Sequence, residues 1–289
     1  MGWAPNAQWL EQICSLLRQY QDPQADHRAI FQQLEEAKKH QEFCLYLAYT
    51  LGHAQGVATH VRQSAGLLLK NSLKGKYLEA TPEAQAGMKG MLLATLGSEE
   101  EVIRQTAGTV MSSIVGQGGL RAWPELLGSL GSDLGGGNGP ARLIGSLDVL
   151  QKVLEDHGQM LSESVDGMGA APIVAFMPQI LALLSPQAPC APASQLHSLC
   201  CVYETLERWV QLEPHLLQQY VRGVLGLSMA EDVDVRRQVC MGLVQILHMH
   251  PDLLEPHMGD LIVYMLQRTQ DADEGVALEA CEFWTAMCI

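Results

Sequence analysis

Apolar residues recur at helical spacing along the whole chain. In LEQICSLLRQY (10–20), Leu10, Ile13, Leu16 and Leu17 gather on one face of a helix, and the flanks are polar. EFCLYLAYTLG (42–52) does the same with Phe43, Leu45, Leu47 and Leu51, and closes on a glycine. Further helices of this kind are predicted at 83–96, 123–134, 172–184, 214–229 and 253–269. Several open with a proline near the first turn, namely Pro82, Pro124, Pro172 and Pro214, where its missing N–H costs nothing.

Between these segments a second pattern repeats. VRQSAGLLLKNSL (61–73) and IRQTAGTVMSSIV (103–115) share the form [VI]-R-Q-[ST]-A-G followed by an apolar series, 42 residues apart. VRRQVCMGLVQIL begins at Val235 and VALEACEFWTAM at Val276, another 41 residues along. Weaker copies lie around IGSLDVLQKVL (144–154) and LHSLCCVYETL (196–206). A period near 42 belongs to helical-hairpin repeats of the HEAT and armadillo type. Each hairpin leaves an apolar face that only its neighbour can cover, so stacking makes one continuous core.

The predicted fold is therefore all-α: a HEAT-repeat superhelical solenoid of about seven hairpins. They run over approximately 6–39, 41–75, 82–117, 121–157, 171–210, 213–249 and 253–289. Irregular joints rich in Gly and Pro fall at LGGGNGP (134–140), SESVDGMGA (162–170) and SPQAPCAPAS (185–194). The apolar helical pattern is still running at Ile289, so the chain is expected to be a fragment of a longer solenoid.

Composition agrees with helices. Aromatic residues are 6% of the 289, low for an all-β protein, while Leu, Ala, Gln, Glu and Met are good helix formers. The net charge of −14 repels phosphate backbones, so nucleic acid is not expected as a partner. It suits a partner with a basic surface. The eight cysteines include no C-x-x-C pair and sit mostly in apolar runs, which points to a reducing compartment and not to a disulfide framework. No secretory signal is visible, Met1-Gly2 is a poor myristoylation start, and no apolar run is long enough to span a bilayer. The chain is expected to be soluble, with no membrane insertion.

Chemical motifs are few. DADEGVALEACE (271–282) resembles a calcium loop, but Gly275 stands where the fifth ligand belongs and Val276 where the glycine belongs. A turn with acidic residues at a helix start reads better. His248, His250 and His257 lack metal-site spacing, and LGGGNGP has neither a preceding strand nor a G-K-[ST]. No catalytic constellation, metal site or cofactor is expected. Arg62, Arg104 and Arg236 occupy equivalent repeat positions, which predicts a structural ladder with neighbouring acids.

The polar faces of the second, inner helices are the candidate partner surface. Gln63 and Lys70 lie away from the stripe of Val61, Ala65, Leu68 and Leu69, and Glu279 and Glu282 away from that of Val276, Ala280 and Phe283.

YMLQRTQDADEGVALEACEFW (264–284) closely resembles the seventh HEAT repeat of the transportins, nuclear import receptors of the karyopherin-β type. RQSAGLLLKN (62–71) resembles their second inner helix, and WPELL (123–127) and LQKVLED (150–156) fall where that family has similar residues. The resemblance implies a solenoid whose amino-terminal arch binds the small GTPase Ran in its GTP form. It also implies cargo proteins with nuclear localisation signals, held mainly by a carboxy-terminal arch that this chain lacks. Phe-Gly nucleoporins and shuttling between cytoplasm and nucleus follow from it as well. The expected role is that of the GTPase-binding arch and not of an enzyme. Gln63, Lys70 and Gln105 are the candidate early contacts, and Asp273, Glu279 and Glu282 the late ones. The alternative is a HEAT scaffold or assembly subunit with no GTPase link.

Overall fold

Short polar caps and first-turn prolines divide the chain into helices. In the computed structural model the described residues are 3–163, 171–185, 188, 190–208 and 213–288, and no strand occurs among them. Parts of the joints at 162–170 and 185–194, the Met1-Gly2 start, the end of the fifth predicted hairpin at 209–210, and Ile289 lie outside them.

The helices come in pairs. α1 (Ala7–Tyr20) and α2 (His27–Ala37) are followed by α3 (Phe43–Gly52) and α4 (Thr59–Leu73), then α5 (Pro82–Thr95) and α6 (Glu101–Gly118). Next come α7 (Pro124–Leu134) and α8 (Pro140–Ser162), α9 (Pro172–Ala182) and α10 (Pro192–Arg208), and α11 (Pro214–Gly226) and α12 (Val233–Met249). The short α13 (Pro251–Leu254) leads into α14 (Met258–Arg268) and α15 (Glu274–Met287). The helix expected over 253–269 is thus interrupted by a 3-10 turn at Glu255–His257. Pro256 is the physical reason, because it has no N–H to donate and its ring crowds the preceding turn.

Starts are set by side chains. Asn6 Oδ1 accepts from the backbone N–H groups of Gln8 and Trp9 at 2.9 and 3.2 Å. Asp26, Asp232 and Asp273 cap α2, α12 and α15 in the same way. Each cap satisfies a donor the helix cannot use and contributes about 1 kcal/mol.

Two compact units emerge, Met1–Asp133 with Ala141–His157, and Leu134–Pro140 with Gly158–Ile289. In the first, α3 is buried on nearly every side, through Phe43, Leu45, Tyr46, Leu47, Ala48, Thr50 and Leu51. α4 packs on it through Val61, Ala65, Gly66, Leu69 and Leu73, a stripe with a step of four. Leu68, expected in that stripe, is only partly buried and packs instead against Leu16, Ile30 and Leu34 of the first hairpin. α8 leaves helical geometry at His157 (φ −142°, ψ 32°), whose Nε2 lies 3.1 Å from Ser112 O. In the second unit Val276, Ala280 and Phe283 of α15 are fully buried, the stripe read from the sequence.

Glycine sets how closely the second helices approach. Gly66 and Gly108 share a repeat position. A Cβ on Gly66 would sit 2.4 Å from Thr106 Cγ2 of the next second helix, and one on Gly108 would sit 2.7 Å from Asp148 Oδ2.

The recurrent arginines are structural. Arg104 Nη1 donates to the Ser98 and Glu99 carbonyls at 2.7 and 3.0 Å, and Arg236 Nη1 to those of Glu231 and Ala230 at 2.7 and 3.1 Å. Each therefore closes the turn ahead of its own helix. Arg62 and Arg236 also reach acids one repeat further on, Glu100 and Asp271. A fourth arginine does similar work. Arg142 donates to Asp133 Oδ1 at 2.9 Å, to Leu93 O and to Ser129 Oγ, while Ser146 Oγ donates to Asp133 Oδ2 at 2.6 Å.

Candidate functional site: an acidic groove on the second helices

The repeat period fixes which side chains meet across successive second helices. Gln245 Nε2 of α12 donates to Tyr203 O of α10 at 2.8 Å, across 42 residues. Arg237 of α12 donates to Glu279 Oε1 of α15 through Nη2 at 3.1 Å and Nε at 3.3 Å, again across 42 residues. One period along the sequence is one step sideways in the stack.

These three helices enclose a groove of about 490 Å³ within the second unit. Its apolar lining is the half-buried Met241 and Val244 with the exposed Met249, and Tyr203 and Gln245 lie beside them. Glu207, Glu279, Glu282 and His248 complete the lining. Glu207 and Glu282 are exposed and form no ion pair among the described residues. Burial first, and then the nearby Glu207, Glu204 and Glu279, push the Tyr203 phenol up from its ordinary value. The unpaired Glu207 and Glu282 favour a cation entering the groove.

The sequence candidates divide three ways. Glu279 and Glu282 come together on the groove, with Glu279 already held by Arg237. Asp273 instead caps α15, its Oδ1 accepting from Val276 N–H at 3.0 Å. Gln63 and Lys70 of α4 and Gln105 of α6 belong to the first unit, and no cavity described there gathers all three. Lys70 and Gln105 are exposed, and Gln105 bonds Glu101 Oε1 of its own helix at 2.9 Å. Tyr203, Glu207 and Gln245 were not singled out from the sequence. The signal that finds them is register, since Gln245 and Tyr203 sit one period apart.

The calcium-like segment is committed to other partners. Asp271 pairs with Arg236 and Arg268 and accepts from Asp273 N–H. That N–H first, and then the two arginines, hold its carboxyl below the usual carboxylate range against the opposing effect of burial. Among the described residues no group of three His, Cys, Asp or Glu could hold a metal ion, and no helix is long and apolar enough to cross a membrane.

Known proteins share this architecture. Residues 31–98 match the importin-beta N-terminal domain. Solved importin beta superposes with a TM-score of 0.79, covering 96% of this chain and 33% of that one at 21% identity. Kap95p, in a complex with Ran in its GDP form, covers 96% of this chain and 34% of its own, with a TM-score of 0.75 and 19% identity. The fold is accordingly that of the importin-beta HEAT-repeat solenoids. By sequence the chain is similar to the transportins. Mouse transportin-1 is 32% identical over 286 residues, 99% of this chain and 31% of the relative. The chain spans about a third of the length of the curated relatives it matches.

Proposed function

We propose that this chain is the GTPase-binding arch of a transportin-like nuclear import receptor. It would bind a Ran-like GTPase in the GTP form through the polar faces of its second helices. The observation that carries the reading is the acidic groove of α10, α12 and α15, with Glu279 and Glu282 in its lining, in a chain similar to the transportins. The Kap95p complex with Ran supports the choice of partner. Gln63, Lys70 and Gln105 are proposed as the early contacts, and Glu279 and Glu282 as the late ones. Asp273 contributes by fixing the start of α15. In the whole protein, cargo bearing nuclear localisation signals and Phe-Gly nucleoporins are the further proposed partners, with shuttling through the nuclear pore.

The mechanism is conformational. A ligand that contacts several hairpins stabilises one curvature of a stack of repeats, and its differential affinity for the two curvatures is the coupling energy available. The test is a pull-down with Ran loaded with GTP or GDP. Preference for the GTP form is expected, and Glu282→Lys should weaken it at least threefold with unchanged helicity. Glu282 is the better probe than Glu279, whose reversal would also repel Arg237. Equal or absent binding to both nucleotide forms would leave a scaffold without a GTPase link as the reading.

A further inference from the structure

Gln245 carries an unanswered acceptor. It is 7% exposed, its Nε2 is spent on Tyr203 O, and its Oε1 has no hydrogen-bond partner. A buried amide oxygen left alone is destabilising, and this one belongs to a residue that lines the acidic groove. In the same lining are two carboxylates with no ion-pair partner among the described residues, Glu207 and Glu282, and the apolar side chains of Met241, Val244 and Met249.

We propose that this groove is an anchor site for one arginine side chain of a partner protein. The three-carbon stem lies against the half-buried Met241 and Val244. The guanidinium, turned edge-on, meets Glu207 on one side and Glu282 on the other and offers an N–H to Gln245 Oε1. Chemistry favours arginine over lysine. A guanidinium has five donors in a planar fork and is weakly hydrated, so it serves separated acceptors beside apolar, polarisable side chains. An ammonium is a compact, strongly hydrated point charge that loses more water on entry. Charge complementarity adds attraction and steering. The groove's volume falls within the ~300–1,000 Å³ of sites that take small ligands. The groove is part of the surface assigned to the GTPase, so its partner protein rests on that reading, while the arginine chemistry does not.

The experiment uses the full chain with methyl-labelled methionines. Titration with N-acetyl-argininamide should shift the Met241 and Met249 methyl resonances saturably, and N-acetyl-lysinamide should bind at least threefold more weakly. Glu207→Gln with Glu282→Gln should weaken the arginine titration at least tenfold, and Gln245→Leu at least threefold. If Gln245→Leu does not fold, the surface double variant alone decides. No saturable shift, equal response to the two amides, or unchanged affinity in the double variant would overturn the proposal. Methyl shifts that survive while the chain shows no GTP-form preference in the pull-down would overturn the GTPase reading alone. A GTP-form preference without methyl shifts would overturn only the arginine anchor.

Discussion

The α4–α6 junction of the first unit and the α12–α15 junction of the second are built on one register and present different chemistry. Val61 and Val235 occupy the same buried repeat position, and both are fully buried. From that position, Lys70 corresponds to Val244, Asn71 to Gln245 and Lys74 to His248. The first junction is closed by Gly66 against Thr106 and shows lysine outward. The second has Cys240 in place of Gly66, links its helices through Arg237 and Glu279, and has glutamates around a groove. Periodic positions thus fix which residues face the stack, and they leave the exposed ones free to choose a partner. Scaffold changes should therefore be costly in either unit, and face changes nearly neutral to stability.

The largest expected effect breaks the polar lock of the first unit. The Asp133 side chain is 1% exposed and answers both Arg142 and the fully buried Ser146. Asp133→Ala leaves a partly buried guanidinium and a buried hydroxyl without that acceptor. We expect a loss of about 3–5 kcal/mol, read as a lower urea midpoint. A loss under about 1 kcal/mol would mean that the hairpin of α7 and α8 does not depend on its polar core.

Next comes glycine. A Cβ at Gly145 would stand 2.5 Å from the Leu96 carbonyl oxygen, and backbone cannot swing aside as a side chain can. Gly145→Ala should cost about 1–3 kcal/mol by overpacking, despite the ~1 kcal/mol that alanine gains over glycine in a helix. Gly90 has nothing within 4 Å of the same test atom, so Gly90→Ala should stabilise by up to about 1 kcal/mol. Thermal melts of the two variants should move in opposite directions. Movement in the same direction would show that close helix approach is not what the glycines provide.

The second unit has an acid-sensitive counterpart to the lock. The Asp271 carboxyl is held below its ordinary value by the Asp273 N–H and by Arg236 and Arg268. A carboxyl depressed in the folded state contributes stability that is complete above its unfolded pKa and disappears as pH falls through the folded one. Wild type should therefore lose more stability than Asp271→Asn between pH 6 and the acid limb, by urea midpoints. Parallel curves would remove Asp271 from the ladder.

How much of this was legible in the sequence follows from the same division. The 42-residue period, the helix starts at Pro82, Pro124, Pro172 and Pro214, and the stripe of Val276, Ala280 and Phe283 were visible because burial forces periodicity. The arginine ladder was visible for Arg62, Arg104 and Arg236, whose neighbours repeat with them, but the expected acids are met only by Arg62 and Arg236, since Arg104 bonds the Ser98 and Glu99 carbonyls. Arg142 was not, because Ala141 and Leu143 flank it where the other copies have Val or Ile and Gln or Arg. The candidate site was legible only in part. Glu279 and Glu282 could be placed on an outward face of one helix, but a groove needs three helices, and Glu207 and Gln245 look like any solvated polar residues until the register aligns them. Asp273 was read as one of several acids at a helix start and as a partner contact, and only the backbone geometry of α15 singles it out as the cap.

The smallest expected effect is the one that sharpens the comparison most. Lys70 and Glu282 are both exposed and neither forms an ion pair among the described residues. Lys70→Glu and Glu282→Lys should each change stability by no more than about 0.5 kcal/mol, the usual range for surface substitutions away from caps and cores. Against that flat baseline their effects on binding can be read directly. Lys70→Glu should leave the N-acetyl-argininamide titration of the second unit unchanged, because the two faces lie in different units. Glu282→Lys should abolish it. If either variant lowered the melting temperature by more than a few degrees, its residue would belong to the scaffold, and the separation of stack-facing from partner-facing positions would have to be redrawn at that helix.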